Sequence, residues 1–429
     1  MLPETPRVSV IGLGYVGLPL ALALARHFPV IGFDAREDRI NQLRKGRDAT
    51  GEVDPDTLLG SALSLTADPN EMAGCDLFIV AVPTPVDSAN RPDLEALLSA
   101  CDFVGRSIRR GGVAVFESTV YPGVTEDICG RRIAEISGLE CRKDFFLGYS
   151  PERMNPGDKV HSVDRITKVI AGQTAEVVDL LTRVYGAVTN GNLFVARDIR
   201  TAEAAKVIEN AQRDINIAFI NEITQMFRRA GLSIYDVLEA ASTKWNFLDF
   251  RPGLVGGHCI GIDPYYLAHW AQSLGHHPEI ILAGRRLNDS MGAYVADEIA
   301  RALKTDENEN GRRRILVLGL TFKEDVPDLR NSRVVDLVSR LRQLGFRVEV
   351  HDPLADGDEA QASYGIEMVS SLDTAGPFDC LVGAVPHRQY RAFDSDVFGR
   401  LVCAGGLVAD VKGLWRGKPI PPGLQRWEL

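Results

Sequence analysis

With 429 residues, 45% of them hydrophobic and 25% charged, the chain is long enough for two or three domains with full cores and fits neither a fibrous nor a disordered class. A net charge of -10 argues against broad nucleic-acid binding, and no run approaches the roughly 18 apolar residues of a membrane span or resembles a signal peptide, so a cytoplasmic protein with neither nucleic-acid nor membrane partner is expected. Seven cysteines, scattered and without a CxxC pair, favour reduced thiols over a disulfide framework or a zinc site.

Taken in chain order, residues 7 to 34 read as strand, glycine-rich turn, helix and strand: RVSVIGLG, an apolar helix through LPLALALARHF, then PVIGFD. Short apolar runs follow at the spacing of a parallel sheet, CDLFIVAVPTP, GGVAVFEST, DFFLGYSPE and NLFVA, so the first lobe is expected over residues 1–197. From 198 to 304 the periodicity is that of long helices. In RTAEAAKVIENAQRDINIAFINEITQMFRRAG the residues Val207, Ile208, Ala211, Ile215, Ala218, Phe219 and Ile223 keep to one broad apolar face. TDENENGRRR, polar and glycine-containing, reads as a linker. Strand, turn, helix and strand then restart over 312–429 in RRILVLGLTF, RVVDLVSRLRQLG and FRVEVHDP, with FDCLVGAVPH and GLVADVKGLW as later strands. The expected class is α/β, with two doubly wound lobes joined by a long central helix and a helical middle domain.

The first turn carries Gly12, Gly14 and Gly17 in GLGYVG. The first glycine permits the turn, the second lets a pyrophosphate approach the backbone, and the third allows close packing of helix on strand. Asp34, ending the second strand, is placed to accept ribose hydroxyls, and its charge repels a 2′-phosphate. This favours NAD over NADP in a Rossmann-like lobe, with Arg36 nearby weighing the other way. Val82-Pro83-Thr84-Pro85 and Glu117-Ser118-Thr119-Val120-Tyr121-Pro122-Gly123 follow strand ends, where open α/β sheets bind ligands; Thr84 and Thr119 are candidate cofactor contacts or simple turn residues. Lys206 and Asn210, one helical turn apart, form either a solvated face or a cradle for a developing oxyanion.

Cys259 lies in GGHCIGIDP, a run too rich in glycine and proline for ordinary core, with Asp263 four residues on. Beside a dinucleotide fingerprint a thiol points to covalent chemistry, because a thiolate adds to an aldehyde and the adduct can lose a second hydride. His258 is adjacent in sequence, but neighbouring side chains generally diverge. In the last lobe GLTFKED, with Arg330 and Arg333 beyond, makes a basic turn suited to a nucleotide diphosphate without a full dinucleotide grip.

GLGYVGLP, ESTVYPG, SPER, Lys206 with Asn210, GGHCIGIDP and GLTFKEDVPDLRNS occur in the order and spacing of the nucleotide-sugar 6-dehydrogenases, the UDP-glucose and GDP-mannose dehydrogenase family, which the chain resembles over essentially its whole length. SPERMNPGD and PGLVGGHCIGIDPYYL look like the branch that oxidises UDP-N-acetylglucosamine or UDP-N-acetylgalactosamine for surface polysaccharides, with a UDP-glucose or UDP-N-acetylmannosamine 6-dehydrogenase as the alternative. The resemblance implies NAD as cofactor, a UDP-sugar as substrate and a homodimer. It implies an NAD-binding domain over 1–197, a central and dimerisation domain with the catalytic cysteine loop over 198–304, and a UDP-sugar-binding domain over 312–429.

Residue by residue, the resemblance makes Cys259 the nucleophile and Lys206 and Asn210 the oxyanion stabilisers. Asp263 becomes an acid/base or water-organising carboxylate, and Thr119 and Glu152 position a catalytic water. Gly12, Gly14, Tyr15, Val16, Gly17, Asp34, Arg39, Thr84, Thr119 and Arg330 fall on NAD. Glu152, Arg153, Met154, Asn155, Lys206, Asn210, Arg251, Gly257, Phe322 and Lys323 fall on the UDP-sugar. Pro156 stands where UDP-glucose enzymes carry a second glutamate, so no hydrolytic role transfers to that position. The implied chemistry is an alcohol taken to an aldehyde, captured by Cys259, oxidised to a thioester and hydrolysed. Two rivals predict otherwise: a hydroxy-acid dehydrogenase with Lys206 as acid/base and Cys259 incidental, and an NAD-sensing regulator without turnover.

Overall fold

The computed structural model describes residues 3–153, 165–257, 259–303 and 313–429. The chain divides into two compact units, one of Met1–Asn210 with Tyr265–His277 and one of Ala211–Pro264 with Pro278–Leu429. The boundary falls inside the 31-residue helix Ile199–Arg229.

In the first unit eight strands form one sheet: β1 Val8–Ile11, β2 Val30–Phe33, β3 Ser64–Thr66, β4 Leu77–Val80, β5 Val113–Phe116, β6 Phe146–Tyr149, β7 Lys168–Gly172 and β8 Leu193–Val195. Their order is β3-β2-β1-β4-β5-β6-β7-β8, parallel except for the antiparallel pair β6 and β7. The inner strands VSVI, LFIV and VAVF are buried at every position, as a sheet covered on both faces requires. Leu18, Leu22, Leu180 and Val184 of helices Gly17–Ala25 and Ala175–Val188 belong to one core, and Leu97, Val104 and Ile133 of helices Glu95–Ser107 and Gly130–Ser137 to the other. Ile11 pairs with Phe33 on one side and Val80 on the other, so the strand order reverses at β1. Ligands bind such sheets at the carboxyl ends of strands beside this switch point, which is where the Gly12 turn and residues 82–85 emerge.

The second unit holds β9 Arg314–Leu318, β10 Arg347–His351, β11 Phe378–Gly383, β12 Val402–Asp410 and β13 Gln425–Glu428 in the all-parallel order β10-β9-β11-β12-β13. Helices Glu279–Ala302 and Val334–Gln343 cover one face through Val295, Ile299, Leu337 and Leu341. Phe393, Phe398 and fully buried Trp415 cover the other, with the Trp415 indole N–H donating to the Tyr390 carbonyl at 2.8 Å. Both sheets are doubly wound, and helices dominate the stretch between them, the class expected from the sequence. The long helix departs from expectation in detail. Val207, Ala211 and Ala218 are buried, whereas Ile208 and Phe219 are exposed, because the apolar face is wider than the core it meets. The polar 305–314 segment falls almost wholly outside the described residues. Among the described residues no helix is long and apolar enough to cross a membrane.

Candidate active site

In the first unit Gly12 turns with φ +92°, and a Cβ there would stand 2.8 Å from the Ala81 carbonyl oxygen; a Cβ on Gly17 would collide with the Gly12 carbonyl. Gly14 has nothing within 4 Å, leaving its backbone open to a close ligand. Tyr15 and Val16 lead into helix Gly17–Ala25. The Asp34 carboxylate accepts the Leu13 and Arg36 N–H groups, each at 3.0 Å, which fixes it at the end of β2. Arg39 is buried: its Nε and Nη2 donate to the Leu13 carbonyl at 3.0 and 2.8 Å and Nη2 reaches Asp48 at 2.7 Å, so its guanidinium braces the turn. An open glycine, a turn that no larger residue fits and a fixed acidic group at the neighbouring strand end suit a dinucleotide.

The loops after β4 and β5 are stitched together. The Thr84 hydroxyl donates to the Thr119 carbonyl at 2.8 Å and the Ser118 hydroxyl to the Val82 carbonyl at 2.6 Å. Glu203 near the start of the long helix accepts the Gly123 and Thr125 N–H groups at 2.6 and 2.9 Å. Burial pushes the Glu203 carboxyl up to about 7 despite these donors. Lys206 and Asn210 follow on the same helical side, 7% and 5% exposed. The solvated-face reading of that pair is therefore overturned. Neighbouring elements cover these polar groups, and no spacing rule could reveal that. Glu203 had no sequence signal beyond its helical position.

Glu152 follows β6 at the edge of a buried charged group that the sequence did not disclose. Lys168 Nζ lies 2.6 Å from Glu117 and 3.5 Å from Glu152, and the Tyr185 hydroxyl donates to Glu117 at 2.6 Å. Arg153 pairs with Glu209 at 2.8 Å and donates to the Thr167 carbonyl at 2.9 Å. Met154, Asn155 and Pro156, like His258, lie outside the described residues.

In the second unit the cysteine loop is shaped from two sides. Asn221 brackets Gly253, donating to its carbonyl at 3.0 Å and accepting its N–H at 2.8 Å. The Gly257 N–H donates to the Asn331 carbonyl at 3.3 Å, and Gly257 itself, at φ +86°, is backed by the Phe322 ring. Partly exposed Cys259 sits on a tight turn, its carbonyl accepting the Ile262 and Asp263 N–H groups at 3.0 and 2.9 Å. Asp263, 2% exposed, is the first residue of helix Asp263–Ser273, where the helix dipole favours a carboxylate.

The Phe322–Lys323 loop is held from below by a buried network. The Leu320 and Thr321 N–H groups donate to Asp352 at 2.6 and 3.0 Å, and His387 Nε2 lies 3.0 Å from the same carboxylate. His387 Nδ1 accepts the Asp325 N–H at 3.0 Å, which leaves Nε2 as the donor. Burial opposes the Asp352 charge, but His387 and the backbone donors prevail and hold it well below the carboxylate range. Arg330 pairs with Asp328 and Arg251 with Asp249, each at 2.8 Å. Thr119, Glu152, Lys206 and Asn210 thus belong to one unit, and Cys259, Asp263, Phe322 and Lys323 to the other.

Three family models match the chain: the NAD binding domain of the UDP-glucose/GDP-mannose dehydrogenase family over residues 6–189, its central domain over 200–290 and its UDP binding domain over 316–417. A Pseudomonas aeruginosa protein named UDP-N-acetyl-D-glucosamine 6-dehydrogenase is 47% identical, with 95% of this chain and 97% of that one covered. Protein CapL of Staphylococcus aureus is 46% identical, with 98% and 99% covered. The solved structure of a UDP-D-ManNAc dehydrogenase from Pyrococcus horikoshii superposes with a TM-score of 0.88 at 28% identity, covering 98% of each chain. With its glycine turn, its cysteine loop and all three domain matches in order, the chain belongs to the UDP-glucose/GDP-mannose dehydrogenase family of NAD-dependent oxidoreductases.

Proposed function

We propose that the protein oxidises the C6 hydroxyl of a UDP-N-acetylhexosamine, UDP-N-acetylglucosamine or UDP-N-acetylgalactosamine, to the uronic acid through covalent intermediates on Cys259. NAD⁺, when bound, accepts one hydride in each of the two oxidations. In the first, the hydroxyl gives up its proton as C6 loses hydride, and the Cys259 thiolate adds to the aldehyde carbon. Lys206 and Asn210 hold the negative charge on the substrate oxygen. Loss of the second hydride from C6 leaves a thioester. Water then adds to the carbonyl carbon, its proton passing to a carboxylate; the C–S bond breaks and Cys259 departs as thiolate.

The burial of Lys206 and Asn210 carries this reading, because donors withdrawn from water are worth far more to a developing oxyanion than solvated ones. The N-acetylated substrate is supported by the names of the relatives. We assign NAD binding to 1–197, the cysteine loop and dimerisation to 198–304 and the UDP-sugar to 312–429, in a cytoplasmic homodimer serving surface-polysaccharide synthesis. Ile208, Phe219 and Met226, all exposed, fall within about 20° of one another around the long helix and supply an apolar stripe for a second copy.

The deciding experiment counts NADH per UDP-N-acetylglucosamine or UDP-N-acetylgalactosamine consumed and weighs the product. Two NADH and a uronate are expected, with UDP-glucose much poorer. One NADH with free aldehyde would return Cys259 to an incidental role, and no NADH with any nucleotide sugar would favour a sensor.

A further inference from the structure

We propose that Lys168 is a positioning residue for the hydrolytic half of the reaction, its ammonium clamped on Glu117 and anchoring the Glu152 carboxylate that takes the proton from the attacking water. The proposal rests on the assignment of Glu152 to that water.

The geometry carries it. Glu117 immediately follows β5, with its side chain fully buried and both oxygens engaged, Oε1 by the Tyr185 hydroxyl and Oε2 by Lys168, each at 2.6 Å. Lys168 opens β7, which pairs with β6, and β6 ends three residues before Glu152. The Lys168 side chain is 8% exposed, its ammonium reaches Glu152 Oε2 at 3.5 Å, and the backbone N–H of Arg153 donates to Oε1 at 2.6 Å. Both oxygens of Glu152 are thus oriented from the protein side. The Arg153 guanidinium turns to Glu209 and the Thr167 carbonyl, so among the described residues Glu117, Glu152 and the Tyr185 hydroxyl are the titratable groups that Lys168 meets.

Taking an ammonium out of water costs several kcal/mol and needs a good partner, which Glu117 alone supplies. The second carboxylate is the more exposed member, at 14% against 0%, and so the one open to chemistry. Burial opposes the Lys168 charge, but Glu117 and Glu152 together outweigh it and keep the lysine ionised. With Lys168 in place Glu152 stays an anion until it accepts the water proton. Without it Glu152 loses the cation beside its Oε2, with or without the Glu117 carboxylate nearby, and binds a proton at higher pH.

The test compares Lys168→Met, Lys168→Arg, Glu152→Gln and the double variant Lys168→Met/Glu117→Gln, which leaves no unpaired buried charge at Glu117. Each is mixed with UDP-N-acetylglucosamine and NAD⁺, quenched and weighed intact. Lys168→Met and the double variant should retain the wild-type KM for the sugar within about three-fold and lose 10- to 100-fold in kcat. They should accumulate the acyl adduct on Cys259 and move the acid limb of the kcat profile to higher pH. Lys168→Arg should recover most of the rate. If Glu152→Gln builds up the adduct while the folded double variant hydrolyses normally with an unshifted acid limb, Lys168 is only structural and the proposal falls alone. If Glu152→Gln builds up none, the Glu152 assignment falls and the role of Lys168 with it.

Discussion

Gly257 lies against the ring of Phe322: a Cβ on that glycine would stand 2.7 Å from Phe322 Cδ2, and its φ of +86° is one that side chains resist. Within one unit, the loop that carries the thiol and the loop assigned to the UDP-sugar are therefore packed on each other without room for a methyl group. Gly257→Ala should add roughly 1 to 3 kcal/mol of local strain and displace Phe322. We expect the KM for UDP-sugar to rise about ten-fold or more, because the displaced Phe322 and its neighbour Lys323 are the residues assigned to the sugar. Steady-state kinetics with each substrate varied in turn checks this, and an unaltered sugar KM would show that the contact has no bearing on binding.

Cys259→Ser keeps the size of the side chain and a hydroxyl while removing an efficient nucleophile. Calorimetric affinities for NAD⁺ and UDP-sugar should stay near wild type, and turnover should fall by roughly three orders of magnitude or more. Wild-type turnover in this variant would refute covalent catalysis.

Asp34, fixed by the Leu13 and Arg36 N–H groups, should make NAD⁺ clearly better than NADP⁺ in kcat/KM. In Asp34→Ala the preference should shrink by about ten-fold, the worth of one good hydrogen bond to a charged group. Equal use of both cofactors by the wild type would remove Asp34 from the ribose.

Glu203 gives a pH dependence of known sign. Its carboxyl is pushed by burial from an ordinary 4.5 to about 7. Between those values the unfolded chain releases a proton that the folded protein keeps, so this group's contribution to stability falls as pH rises from 4.5 to 7 and is level beyond, by roughly 3 kcal/mol in all. Glu203→Gln loses that slope. The melting-temperature advantage of wild type over Glu203→Gln should therefore narrow from pH 5 to pH 7.5; a gap that widens or stays constant would contradict a protonated Glu203.

How much of this was legible in the chain depended on the range of each interaction. Gly12, Gly14, Gly17 and Asp34 lie within 23 consecutive residues, and their meaning is carried by the backbone conformation of one strand, turn and helix. Cys259 stood out because glycines and a proline surround it. Strands β3, β7 and β13, by contrast, carry little local signal. Two are only three or four residues long, and β7 runs against β6, where an alternating βα pattern implies a parallel strand.

By itself the sequence determined the doubly wound class, the dinucleotide turn and the identities of the thiol, the lysine and the amide, since each is written in local spacing and residue type. Only the tertiary structure decided that Lys206 and Asn210 are buried, that Ile208 and Phe219 are not, and that Glu117 meets Lys168 and Tyr185 across 51 and 68 residues of chain. The physical reason is that periodicity defines which face of a helix is apolar or charged, whereas the electrostatic worth of a side chain depends on what covers it and which distant charge it meets once water is gone.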